Sequence, residues 1–294
     1  NTIPFVIIKG YGATGASNSN INISSNRIHD FFSTVNSHCR GVFVASGNTA
    51  WTISSNRIYQ TADRVWVGSG NNVYSCIEIQ NNISGNGSNF QITNNILGFR
   101  DAAGTGYSVL KHGGTSATNI ASNIHVIIFN ATSSVNNIIS GNIIGGFDLT
   151  SSRATATANE NIFIGIFIRT GTVSVTSNTI GSSTVSNSIL IRSTATTAPS
   201  PVPAAGIYVR GVNPVNVISN SIGGFTFSFQ APGTAGSDRI SFAGILSDNT
   251  NQTIIRNNYI GGTNALNITM PYLNARVVGI QCNGGTGGGI SKIT

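Results

Sequence analysis

The sequence predicts an all-β fold, a parallel β-solenoid of about eight coils, and three observations predict it. A six-residue motif, apolar-x-x-Asn-x-aliphatic, recurs from one end of the 294 residues to the other. Short alternating strands rich in Ile and Val stand upstream of its copies. The segments between are uneven in length and built from Ser, Thr, Ala, Gly and Pro. A helical solenoid or coiled coil needs even spacing and long stretches of 3.6-residue period, so a fixed core with variable loops points elsewhere.

The copies run in order as ISSNRI at 23–28 and again, unchanged, at 53–58, ITNNIL at 92–97, ISGNII at 139–144, VTSNTI at 175–180, VISNSI at 217–222 and IRNNYI at 255–260. The chain also opens on NTI, the second half of another copy. The central residues are Asn1, Asn26, Asn56, Asn95, Asn142, Asn178, Asn220 and Asn258. A second module precedes the later copies: GIFIR at 165–169, GIYVR at 206–210, GILSD at 244–248 and GIQCN at 279–283, with VFVA, IEIQ and IIFN as earlier equivalents. Each repeat therefore reads as strand, tight turn, strand, Asn bend, short strand and loop. Loops such as 193–205 and 230–239 lengthen at little cost, because closure entropy grows only as the logarithm of length.

Strands this short cannot bury an apolar face alone, but stacked copies bury one continuous column. In VSVTSNTI, Val173 and Val175 share a face by period-two alternation, and Ile180 turns inward again beyond the bend. Coils about 4.8 Å apart would place the asparagines in a ladder. Asn suits the bend because it tolerates left-handed backbone and because its amide carries both donors and acceptors. Gly98, Gly145, Gly181, Gly223 and Gly261 follow the bend strand and mark another corner.

Composition narrows the function. Charged residues make up only 8% of the chain, and the net charge of +7 comes from Lys and Arg scattered without a run. A nucleic-acid binder clusters its bases on one face, so nucleic acid is not expected as a partner. No apolar stretch approaches the roughly 20 residues that span a bilayer, so membrane insertion is not expected either. Cys39, Cys76 and Cys282 have no metal-ligand spacing and read as small hydrophobes, and nothing in the chain calls for a metal or cofactor.

With its repeats in view, the sequence resembles the right-handed parallel β-helix proteins of the pectin-lyase-like superfamily, whose coils carry such an Asn ladder. The Ser/Thr/Asn texture and NxIGG corners look most like repeat regions of large secreted or surface-bound bacterial proteins, adhesins among them. The resemblance implies a structural segment of an extracellular filament, stalk or adhesin, lying at the cell surface or beyond it. It also admits a carbohydrate-active enzyme, a polysaccharide lyase or glycoside hydrolase on the same scaffold.

An enzyme of that kind needs paired carboxylates or an acidic calcium cluster. The acids are Asp30, Asp63, Asp101, Asp148, Asp238, Asp248, Glu78 and Glu160, with no two closer than ten residues. Asp238 with Asp248, or Asp30 with Asp63, would have to meet across coils. His29, His38, His112 and His125 are equally dispersed. No catalytic residue is assigned.

The candidate contact residues lie on outer columns instead. Aligned modules place Phe167, Tyr208 and Leu246 in one column and Arg169, Arg210 and Asp248 in the next. Cross-strand pairing is the plain reading, with Arg210 opposite Asp248; a glycan platform of rings beside arginines is the sharper one. Arg27 and Arg57 hold identical sites in successive copies and either splay into water or share an anion. Regular TxT rows for an ice-binding face are absent. The chain closes on GISKIT, close to where a next motif would begin, so residues 1–294 are expected to be one β-helix domain continued by further chain or by neighbouring subunits.

Overall fold

A computed structural model describes residues 3–13, 15–35, 38–67, 72–81, 87–112, 122–132, 135–151, 161–193, 202–229, 240–264, 267–270, 276–283 and 291–293. The chain is an all-β parallel solenoid. One winding shows the plan: Phe163–Thr170, Val173–Thr176, Thr179–Gly181 and Ile189–Ser193 each belong to a different sheet, and Val202–Gly211 then returns to the first. The four sheets hold eight, eight, seven and six strands, and their neighbours are paired in parallel. A two-stranded pair, Asn18–Ser19 with Asn48–Thr49, stands beside them.

Two details depart from expectation. Five windings, those entering at His38, Asn72, Ser122, Phe163 and Val202, place a strand of three residues or more in all four sheets. The remainder are partial, so the solenoid has about five full turns, whereas counting asparagines suggested eight. The fourth sheet, with Phe147–Ser151, Ile189–Ser193 and Phe225–Phe229, also occupies stretches read as loop. Ser193 and residues 202–205 of the expected 193–205 loop belong to strands, while its residues 194–201, the expected 230–239 loop and Asn1 lie outside the described residues.

The core is a set of β-branched columns. Val42, Ile77, Ile127, Ile166, Ile207 and Ile245 pair in one register and are fully buried. Ile53, Ile92, Ile139, Val175, Val217 and Ile255 do the same on the second sheet. Each such side chain stabilises by about 1.5–3 kcal/mol on burial, and each is stiff at χ1, so columns hold their register. The glycine of the GIxxR module lets these columns meet. A Cβ on Gly206 would stand 2.6 Å from Ile222 Cγ2 of the third sheet.

Candidate functional site

Polar side chains with work to do fall into three places: the Asn bend, the outer face of the first sheet, and outer corners of the third and fourth sheets.

At the bend, each carboxamide bridges two windings. Asn142 donates from Nδ2 to Asn178 Oδ1 at 2.9 Å and to Ile92 O at 2.8 Å, while its backbone N–H also donates to Asn178 Oδ1 at 3.0 Å. The same link joins Asn26 to Asn56, Asn56 to Asn95, Asn95 to Asn142, Asn178 to Asn220 and Asn220 to Asn258. From Asn56 to Asn220 the ladder is buried. The left-handed conformation, however, is not on the ladder residue. It falls one residue earlier, at Ser25, Ser55, Asn94, Gly141, Ser177, Ser219 and Asn257, all with φ between 55° and 65°. Small or self-bonding side chains accept that conformation, which frees the Asn for hydrogen bonding alone.

Sequence reasoning missed a second use of asparagine, at the corner between the first two sheets. Asn81 Nδ2 donates to Asn48 O at 2.7 Å, and Asn137 Oδ1 accepts the Phe90 N–H at 2.9 Å. Both residues are buried. Asn at a strand end in QNN and VNN was the available signal.

On the first sheet, Phe167, Tyr208 and Leu246 do share an outward column. The rings of Phe167 and Tyr208 stack at 4.9 Å and 5°. Their burial differs from the expectation of an open platform: Phe167 is 1% exposed and Tyr208 2%, so neither ring offers a face to a sugar. Arg169 lies over Phe167 at 4.9 Å and His125 meets its edge. Arg210 stands opposite Asp248 in register but makes no ion pair with it; Asp248 instead accepts from Tyr208 Oη at 2.6 Å and from Asn283 Nδ2 at 2.7 Å. Burial pushes the Tyr208 phenol well above its usual pKa, and the neighbouring Asp248 adds to it. Further along this face Arg40 Nε donates to Glu78 Oε2 at 2.5 Å, with the guanidinium 4.2 Å over Phe43.

On the third sheet Arg27 and Arg57 sit directly opposite each other, next to His29 and Tyr59, which also pair. Asp30 beside them is taken by Arg64, Thr61 and His29. Burial works against the Asp30 carboxylate, but hydrogen bonds from Thr61 and His29, with Arg64 behind them, outweigh it and lower its pKa to about 2. On the fourth sheet's side Asp63 binds Arg100 at 2.7 Å and Lys111 at 2.9 Å, and Asp148 binds Arg192 at 3.0 Å. Asp30 and Asp63 are thus held in separate ion-pair sets. Asp238 and Glu160 lie outside the described residues.

No group of three or more His, Cys, Asp or Glu suited to a metal occurs among the described residues. The geometry defines a class, a parallel β-solenoid whose windings are locked by asparagine carboxamides. No family model, curated protein or solved structure matches the chain.

Proposed function

We propose that the chain is a structural repeat segment of an extracellular or cell-surface filament, stalk or adhesin. It resembles the repeat regions of large secreted bacterial proteins built on the right-handed, pectin-lyase-like β-helix, and it meets glycan surfaces through loops and outer columns. The observation that carries this reading is the unbroken ladder from Asn26 to Asn258, which fastens seven successive bends to one another. Buried polar groups spent on holding windings in register suit a stiff spacer. Self-association end to end finds support in the first sheet, whose outermost strands, Val6–Gly10 and Arg276–Cys282, each pair on one side only among the described residues. Exposed apolar side chains stand there, Phe5 at 52% and Val277 at 49%, and open strand edges template further strands.

Electron microscopy and light scattering of the purified chain test the assembly. Rods or end-to-end chains are expected. A monodisperse compact particle of 30.5 kDa speaks against it.

One observation favours a second reading, a carbohydrate-active enzyme. Burial raises the Asp148 carboxyl pKa against the opposing pull of Arg192 and Lys111, Asp63 adds to the rise, and Arg100 and Lys111 lower the Asp63 pKa. Carboxyls pushed apart in this way are what acid–base pairs look like. Release of reducing or unsaturated ends from a polysaccharide, lost in Asp148→Asn, would move the assignment to this reading.

A further inference from the structure

The outer face of the third sheet carries one run of charge without a counter-charge. Arg27 and Arg57 share a register position on adjacent windings. Adjacent parallel strands lie about 4.8 Å apart, and like charges directly opposite destabilise a sheet. Elsewhere among the described residues several cations have carboxylate partners: Arg40 has Glu78, Arg64 has Asp30, Arg100 and Lys111 share Asp63, and Arg192 has Asp148. Arg27 and Arg57 have none among the described residues, and the nearest acid in sequence, Asp30, is already occupied. Arg27 is exposed and Arg57 half-buried.

Their surroundings suit a sugar. His29 and Tyr59 extend the same outer face with rings stacked at 5.0 Å, and the His29 side chain is 44% exposed. Across the Asn bend, Asn22 and Ser24 stand opposite Thr52 and Ser54, all uncharged, capable of hydrogen bonding and exposed or half-buried.

We propose that Arg27 and Arg57 form a clamp for a carboxylate or sulfate group of an acidic polysaccharide, whose sugar rings lie against His29 and the hydroxyl and amide positions beyond the bend. The proposal deepens the surface-contact part of the function proposed above and does not depend on end-to-end assembly. Two guanidinium forks can share one oxyanion through charge-assisted hydrogen bonds. The bound anion also removes the repulsion between the two arginines, so binding and stability are linked. Two cations among hydroxyls fit a hydroxylated polymer better than an anionic lipid surface, which calls for a cluster of four to eight bases.

The test is calorimetric titration of the whole chain with heparin, polygalacturonate and neutral dextran, followed by thermal unfolding with each. The wild type is expected to bind at least one polyanion and not dextran, and to unfold at a higher temperature in its presence. The double variant Arg27→Ala/Arg57→Ala should lose roughly tenfold or more in affinity and show no thermal shift with polyanion. Without polyanion it should unfold no lower than wild type. Arg256→Ala, an exposed arginine on the second sheet, should bind as wild type does. Undiminished binding by the double variant, an equal loss in Arg256→Ala, or a thermal shift with inorganic sulfate as large as with the polymer would each overturn the proposal. Failure to form rods would leave these readouts unchanged, so the two proposals fail separately.

Discussion

The Oδ1 atom of Asn178 accepts two hydrogen bonds from Asn142 on the preceding winding, one from Nδ2 at 2.9 Å and one from the backbone N–H at 3.0 Å. A single carboxamide oxygen thus satisfies both donors of its neighbour at the bend. The nitrogen of Asn178 reaches back to Ile139 O at 2.9 Å and onward to Asn220 Oδ1 at 2.9 Å. From Asn56 to Asn220 each carboxamide oxygen accepts from the preceding winding and each Nδ2 donates to the oxygen of the next, so the ladder propagates in one direction along the axis.

Removing one carboxamide therefore orphans groups on both sides. Asn178→Ala is expected to destabilise by about 3 kcal/mol, since a buried unsatisfied donor or acceptor costs roughly 1–3 kcal/mol and several are left. Asn26, which is exposed at the margin of the ladder, should cost less than about 1 kcal/mol when changed to Ala. Asn178→Asp keeps the acceptor but turns a second oxygen toward Asn220 Oδ1 and Ile139 O. It should be worse than Ala at neutral pH. The introduced carboxyl has a folded pKa above its unfolded value, so its penalty shrinks as pH falls through that folded pKa. Denaturant midpoints of the three variants at two pH values check the order.

Glycines at the next corner differ in what they require, and a pair of alanine variants separates the causes. At Gly181 φ is +74° and a Cβ would stand 1.8 Å from Gly223 O, so both backbone strain and a backbone clash oppose a side chain. Gly261 has φ +107° but no described atom within 4 Å of the position a Cβ would take. Gly181→Ala should cost at least about 3 kcal/mol, and Gly261→Ala only the strain, about 1–2 kcal/mol. Equal costs, measured by thermal or denaturant unfolding, would remove the close-approach argument.

How much of this was legible in the sequence depended on whether a residue acts at a fixed place in the repeat. The ladder asparagines and the Ile/Val columns do, and the recurring six-residue motif with its flanking alternation located them. The left-handed residue was placed one position late, because Ser, Asn and Gly in the preceding position change identity from copy to copy while the ladder Asn does not. Strands of the fourth sheet, such as FDLTS and ILIRS, follow loops of uneven length, which hid their register. The same unevenness hid the ion pairs, since Arg64 with Asp30, Lys111 with Asp63 and Arg192 with Asp148 span 34, 48 and 44 residues. Alternation did show that Phe167 and Tyr208 point away from the main core. It could not show that this outer column is buried, because cover is a property of the folded surface and not of a strand's period.

The three cysteines should separate by reactivity. Burial pushes the Cys39 thiol up to about 11 and the Cys76 thiol up to about 12, so neither ionises near neutral pH, whereas Cys282 is exposed. Thiolate is the reactive form. One thiol per chain should react with a disulfide reagent under native conditions and three after denaturation. Rapid modification of two or more in the native protein would show that the interior columns open.

Acid should loosen the early windings through Asp30. Its folded pKa of about 2 lies below the usual aspartate value of 3.8, so the ionised carboxylate is favoured by the fold. The stability it contributes is complete above the unfolded pKa and is lost as pH falls through the folded one. The window is therefore about pH 4 down to pH 2, where protonation weakens its contacts with Arg64 and Thr61. Arg64 is only 8% exposed and also donates from Nε to Gln60 Oε1 at 2.7 Å, so losing the carboxylate leaves a largely buried guanidinium with one partner fewer. Asp30→Asn should lower stability at neutral pH and flatten its decline between pH 4 and pH 2. Denaturant unfolding across that range measures both, and a variant whose pH profile runs parallel to wild type would show that other carboxylates govern the acid limb.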